Sequence, residues 1–123
     1  LIVILSVILM VLSVSLGANC IGSFHRYENS NRVYLAKSIQ TYYIPANSHV
    51  EGYIKADGNF SAYVMTKSEL KKYKHGKGFK PIISWINVSY VELELDTLDE
   101  TCYLVVRNEE EHIMLIHVEF EAK

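Results

Sequence analysis

The chain has 123 residues, with 12 Lys and Arg against 14 Asp and Glu and a formal net charge of -2 at pH 7. Once an apolar N-terminal stretch is set aside, about 100 residues remain, enough for one modest domain with its own core. The near-neutral balance argues against nucleic acid as a partner. Its basic residues gather only at Lys67, Lys71, Lys72, Lys74, Lys77 and Lys80, which read as the solvated side of one short helix and its exit loop.

In chain order, the first element is the run from Leu1 to Ala18, which carries no charged side chain. A helix from Leu1 to Gly22 would reach roughly 33 Å at about 1.5 Å per residue, enough to cross a bilayer core of about 30 Å. Three readings compete: a retained anchor, a cleaved secretion signal ending at Leu16-Gly17-Ala18, and a helix that packs with copies of itself. Retention is the expectation, with membrane lipid as the first partner. In the packing reading Ser6, Ser13 and Gly17 share one side at helical spacing and form the helix contacts. The chain begins with Leu, so the flank that would carry the best orientation signal is expected to have been trimmed. The resulting division is a transmembrane or assembly helix at 1–22, a connector at 23–37 and a β domain at 38–123.

Cys20 and Cys102 permit one disulfide, worth roughly 2–4 kcal/mol in the entropic account, but two free thiols are the favoured expectation, because a Cys20 close to the membrane would not reach Cys102. A lipid-acceptor role for Cys20 fits badly, because Asn19 precedes it directly. Asn59-Phe60-Ser61 and Asn87-Val88-Ser89 both satisfy the glycosylation pattern, making Asn59 and Asn87 candidate acceptors on an extracytoplasmic domain. Arg26, Arg32 and Lys37 pull the other way under the positive-inside tendency. The domain is placed outside the cell on its membrane anchor, with secretion as the alternative.

From Val33 onward the period is two. Seven strands are expected: Ser38–Ile44, His49–Lys55, Ser61–Met65, Ile82–Ile86, Tyr90–Leu95, Tyr103–Arg107 and Ile113–Glu121. In the last, Met114, Ile116, Val118 and Phe120 fall on one side, with His117, Glu119 and Glu121 on the other; Val91, Leu93 and Leu95 alternate likewise with Glu92 and Glu94. Single apolar faces of this kind need a second layer, so the fold class is an all-β antiparallel sandwich. Turns are expected at Pro45-Ala46-Asn47, Asp57-Gly58-Asn59, Asp96 to Glu100 and Asn108 to Glu111. One helix interrupts the strands. Thr66-Lys67-Ser68-Glu69 has capping-box spacing, Leu70 and Tyr73 share a face, and the helix stops near Gly76.

The stretch Phe60-Ser61-Ala62-Tyr63-Val64-Met65-Thr66-Lys67-Ser68-Glu69, continuing through Tyr73 and Gly76 to Phe79, resembles small secreted or anchored β-sandwich domains of archaea and bacteria that are similar to the GOLD (Golgi dynamics) domain. Thr101-Cys102-Tyr103-Leu104-Val105-Val106-Arg107-Asn108 is similar to a strand of that group, and together the likeness covers roughly Ser38 to Lys123. Cys102 stands where the pattern has tyrosine, Glu100 where it has glycine and Arg107 where it has aspartate. The resemblance implies a jelly-roll or GOLD-like sandwich and no activity. Eukaryotic relatives act in membrane trafficking with a C-terminal membrane helix, whereas here the apolar segment comes first, so that role is not carried over.

Chemistry-bearing patterns are sparse. Among His25, His49, His75, His112 and His117, the last two lie five apart in an expected strand and would point to opposite faces, so no metal site is assigned. Glu109-Glu110-Glu111 reads as a solvated turn because it lacks the alternating spacing of a calcium loop. With no phosphate loop, nucleophile elbow or CxxC pair, no catalytic residue and no cofactor are assigned. Tyr42, Tyr43, Tyr53, Tyr63, Tyr90 and Tyr103 suit contacts with protein or sugar, or complete the rim of a small core, and Trp85 is expected in the core. The leading expectation is a non-catalytic, membrane-anchored module that engages protein partners or copies of itself through the N-terminal helix and a tyrosine-bearing face, as an accessory subunit of a membrane or envelope complex. The alternatives are a pilin-like subunit of a surface filament and a metal- or sugar-binding surface protein.

Overall fold

The computed structural model describes residues 25–123. The expected helix at 1–22, with Ser6, Ser13, Gly17 and Cys20, lies outside the described residues. Among the described residues no helix is long and apolar enough to cross a membrane.

Six strands and one helix follow in order: β1 Arg26–Tyr34, β2 Ile39–Ile44, β3 His49–Thr66, α1 Lys67–Lys74, β4 Ile83–Asp96, β5 Cys102–Asn108 and β6 Met114–Ala122. All pairings are antiparallel and belong to one sheet of order β1-β6-β3-β5-β2, with β4 on the other edge of β3. The antiparallel all-β expectation therefore holds. The strands form a single hydrogen-bonded sheet that curls around the core.

The curl is built into β3, which runs 18 residues where two strands and a turn were expected. Its first half pairs with β6, from Val50↔Ala122 to Ala56↔Ile116, and its second half pairs with β5, from Phe60↔Asn108 to Thr66↔Cys102. Asp57, Gly58 and Asn59 fall between the two ladders, so their turn chemistry bends the strand without reversing it. β4 likewise merges two expected strands, and the break between them is an irregularity opposite Phe60. There Asn87 adopts a left-handed conformation with φ 52°, and its N–H donates to Ser61 Oγ at 3.1 Å.

The core forms where the strand period is two. Val50, Ile54, Phe60, Ala62 and Val64 of β3 meet Val91 and Leu93 of β4, Leu104 and Val106 of β5, and Met114, Ile116, Val118 and Phe120 of β6. The inward face expected for the last strand is the one observed, and Trp85 and Leu95 are only partly buried against this core. Gly52 has a steric reason: a Cβ there would sit 2.1 Å from the Glu119 carbonyl oxygen.

The region expected to be a connector contains β1. Its polar residues conceal an alternation in which Glu28 and Tyr34 point inward. The ends of the curled sheet meet through side chains: Tyr34 and Tyr42 share a hydroxyl hydrogen bond of 2.8 Å, Arg26 donates to the Tyr43 carbonyl at 2.9 Å, and Arg32 to Gln40 Oε1 at 2.9 Å. The two guanidiniums also lie over the rings of Phe120 and Tyr42, and both pair with the buried Glu28 carboxylate.

On the outer side of the second half of β3, α1 covers a smaller cluster of Met65, Leu70 and Val105, flanked by Tyr63, Tyr73, Phe79 and Tyr103. Thr66 caps the helix through a long contact of 3.5 Å from the Glu69 N–H. The reciprocal half of the expected capping box does not form. Glu69 instead accepts from the Lys80 N–H at 2.8 Å and from Lys72 Nζ at 3.1 Å, which ties the exit loop to the helix and holds its carboxyl below the ordinary range.

Candidate functional site

Strand alternation sends the odd-numbered residues of the first half of β3 outward. Among the described residues no helix lies over this half, and they join outward residues of β1, β6 and β4 in registered rows. One row runs Glu94–Glu51–Glu121–Tyr27 across four strands, and the next runs Glu92–Tyr53–Glu119–Asn29. Three carboxylates in the first row stand side by side, an arrangement that costs energy unless positive charge comes near. His49 and Asp96 are directly paired at the end of the β3–β4 ladder.

Tyrosines and histidines organise the face. Tyr53 stacks on Tyr90 with ring centroids 6.2 Å apart and on His117 at 5.4 Å, and Lys55 Nζ lies 5.9 Å from the Tyr53 centroid. Glu119 accepts from the Tyr27 hydroxyl at 3.0 Å and the Tyr53 hydroxyl at 3.1 Å, with His117 Nε2 at 3.2 Å. The His117 contact, then those hydroxyls, hold the Glu119 carboxyl below the usual carboxylate range. His25 Nε2, at 2.6 Å, does the same for Glu121. Between these groups lies a shallow hollow of about 480 Å³, lined by Tyr27, Tyr53, Tyr90, Glu51, Glu94 and Glu121 among others.

His49 sits where a cation would be held. Its Nδ1 is 2.6 Å from Asp96 Oδ1, while Nε2 is 3.0 Å from Glu51 Oε2 and 3.8 Å from Glu94 Oε2. The hydrogen bonds to Asp96 and then Glu51 raise the His49 pKa above its ordinary value. With Asp96 taking the Nδ1 proton, His49, Glu51 and Glu94 offer ligand atoms within 4.8 Å of one another, a donor set suited to a divalent metal.

Further along the same outward side, Val33 and Leu115 are cross-strand partners and both are exposed, with the exposed Leu35 and Ile113 following them. The face thus passes from acidic and aromatic to aliphatic.

The nine tyrosines divide into separate groups. Tyr34 and Tyr42 are buried, and burial followed by their mutual hydrogen bond pushes the Tyr34 hydroxyl far above its ordinary pKa. Tyr63 and Tyr73 pack with Phe79 beside α1, and Tyr43 meets Tyr103 edge to face. Only Tyr27, Tyr53 and Tyr90 reach the acidic face. Asn59 and Asn87 are exposed, and Cys102 is buried. His112 lies in the loop before β6, so of the two histidines only His117 is on the strand. The three glutamates of that loop have different partners: Glu109 pairs with Arg107, Glu110 accepts from the Asn59 N–H, and Glu111 pairs with Lys37. Buried Asn108 organises the loop by donating to the carbonyls of Tyr34, Leu35 and His112.

Sequence reasoning missed β1 and therefore Tyr27, and it did not foresee that His25 meets Glu121. It also missed the joining of His49 to Glu51 and Glu94, although the outward parity of Glu92, Glu94, Glu119 and Glu121 was legible. Compared with known proteins, the chain matches no family model and no curated protein.

Proposed function

We propose that this protein is a non-catalytic interaction module, held at the membrane by its apolar N-terminal segment and displayed outside the cell, where it serves a membrane or envelope complex. We read the curled sheet with its single helix as a jelly-roll or GOLD-like sandwich. The observation that carries the functional reading is the outward face of β1, β6, β3 and β4, uncovered among the described residues, where Tyr27, Tyr53 and Tyr90 stand among carboxylates aligned in register. Flat, wet, aromatic-bearing surfaces with charge to neutralise suit a protein partner that brings basic side chains. The test is co-purification of the full chain from its native membrane. Tyr53→Ala with Tyr90→Ala should strip the partner without lowering the melting temperature, and partner retention by that variant would overturn the reading.

A second reading, a metal-binding surface protein, is favoured by the convergence of His49, Glu51 and Glu94. Zinc titration followed by calorimetry should then show one site lost in His49→Ala. Equal heats from both proteins would remove this reading.

A further inference from the structure

The distribution of charge names an occupant for the acidic face. Of the 12 basic residues, six (Lys67, Lys71, Lys72, Lys74, Lys77 and Lys80) lie between Lys67 and Lys80, a stretch with one acidic residue, Glu69, already engaged by Lys72 and the Lys80 N–H. Six of the 14 acidic residues (Glu51, Glu92, Glu94, Asp96, Glu119 and Glu121) point outward from the other half of the sheet. Among the described residues, none of those six carboxylates pairs with a lysine of the helix segment. The lysines ride on α1 and its exit loop over the outer side of the β3–β5 half, and the carboxylates lie on the outer side of the β3–β6 half.

We propose that the acidic, tyrosine-lined face receives the lysine-bearing α1 segment of a second copy of this chain. Sizes agree: eight residues of helix extend about 12 Å, and four adjacent strands span about 14 Å between the outer two. Tyr27, Tyr53 and Tyr90 add aromatic faces for the incoming ammonium groups, as Tyr53 already does for Lys55. The two surfaces are different patches of the same molecule, so the contact is head-to-tail and leaves a free patch at each end. Repetition yields an open chain of subunits, not a closed pair. This inference rests on the interaction-module reading and supplies its partner.

The experiment uses the full chain in detergent with EDTA present, followed by sedimentation velocity. Wild type should form a concentration-dependent ladder of species in about 50 mM salt, with association weakened by at least about tenfold in about 500 mM salt. Glu51→Lys with Glu94→Lys, and separately Lys71→Glu with Lys74→Glu, should each abolish the ladder while melting as wild type does. An equimolar mixture of the two variants should restore it, because each then offers the charge that the other's opposite patch lacks. Glu92→Lys with Asp96→Lys replaces the first variant if that one melts early. A ladder that survives either reversal, or a mixture of well-folded variants that stays monomeric, overturns the proposal. Loss of a different co-purifying protein on Tyr53→Ala with Tyr90→Ala, alongside a wild type that never self-associates, overturns the second copy as partner and leaves the interaction-module reading standing.

Discussion

The two halves of the curled sheet share β3 and β4 yet treat their outward faces in opposite ways. On the β5 half, Tyr63, Met65, Tyr103 and Val105 are covered by α1 and its exit loop. On the β6 half, the equivalent positions are glutamate, tyrosine, histidine and lysine, and among the described residues no helix covers them. The difference teaches where stability is held: outer side chains of one half pack under the helix, and among the described residues those of the other half do not. Substitutions can break or sharpen this contrast.

The largest effect falls on what both halves share. Ile116→Asp would set an unpaired carboxylate in the common core and cost more than about 4 kcal/mol of a total near 5–15, so thermal melting followed by circular dichroism should show a drop of more than about 10 °C or no folded baseline at all. Glu119→Ala, three residues away on the outward side, should melt close to wild type. Next comes the seam where the sheet ends meet. Glu28→Ala leaves Arg26 and Arg32 facing each other over the core without their buried carboxylate, and urea unfolding should show a loss of about 3 kcal/mol.

The contrast itself is read by one pair of variants. Leu70→Ala empties the covered face and should cost about 2–3 kcal/mol, whereas Tyr90→Ala on the bare face should stay within about 0.5 kcal/mol of wild type. Equal losses would erase the distinction between the halves. The smallest effect is the response to pH. Because its carboxylate neighbours raise the His49 pKa in the folded state, His49 contributes stability below its unfolded value of about 6.5 and loses it as pH rises through the folded value. Glu119 and Glu121 are shifted down, so their contribution is present above about 4.3 and fades as pH falls through their folded values. Melting temperatures across this range should show both limbs, and His49→Gln should remove the upper one only.

Local alternation was a reliable guide where strands are amphipathic. The inward set of β6, the inward Val91 and Leu93, the Thr66 cap and the shared face of Leu70 and Tyr73 all follow from spacing alone. Turn chemistry misled at Asp57-Gly58-Asn59 and around Asn87, because residues that favour turns also serve where a continuous strand changes partner or bulges. β1 was hidden because its inward residues include Glu28, which reads as solvent-facing until two arginines are seen beside it. The acidic face depends on register between strands distant in sequence: Glu51 meets Glu121 across 70 positions, and no local pattern encodes that meeting.

The place of β6 in the sheet governs the timing of folding. Its ladders join Arg26–Tyr34 on one side and Val50–Ala56 on the other, so among the described residues the first strand pairs only with the sixth. During synthesis β1 must wait, with its backbone donors and acceptors unpaired, until Ala122 has cleared the ribosome. Closure is therefore a late, long-range step of the kind that folds slowly and leaves sticky intermediates. Such a delay keeps the chain open and threadable for as long as that strand is awaited.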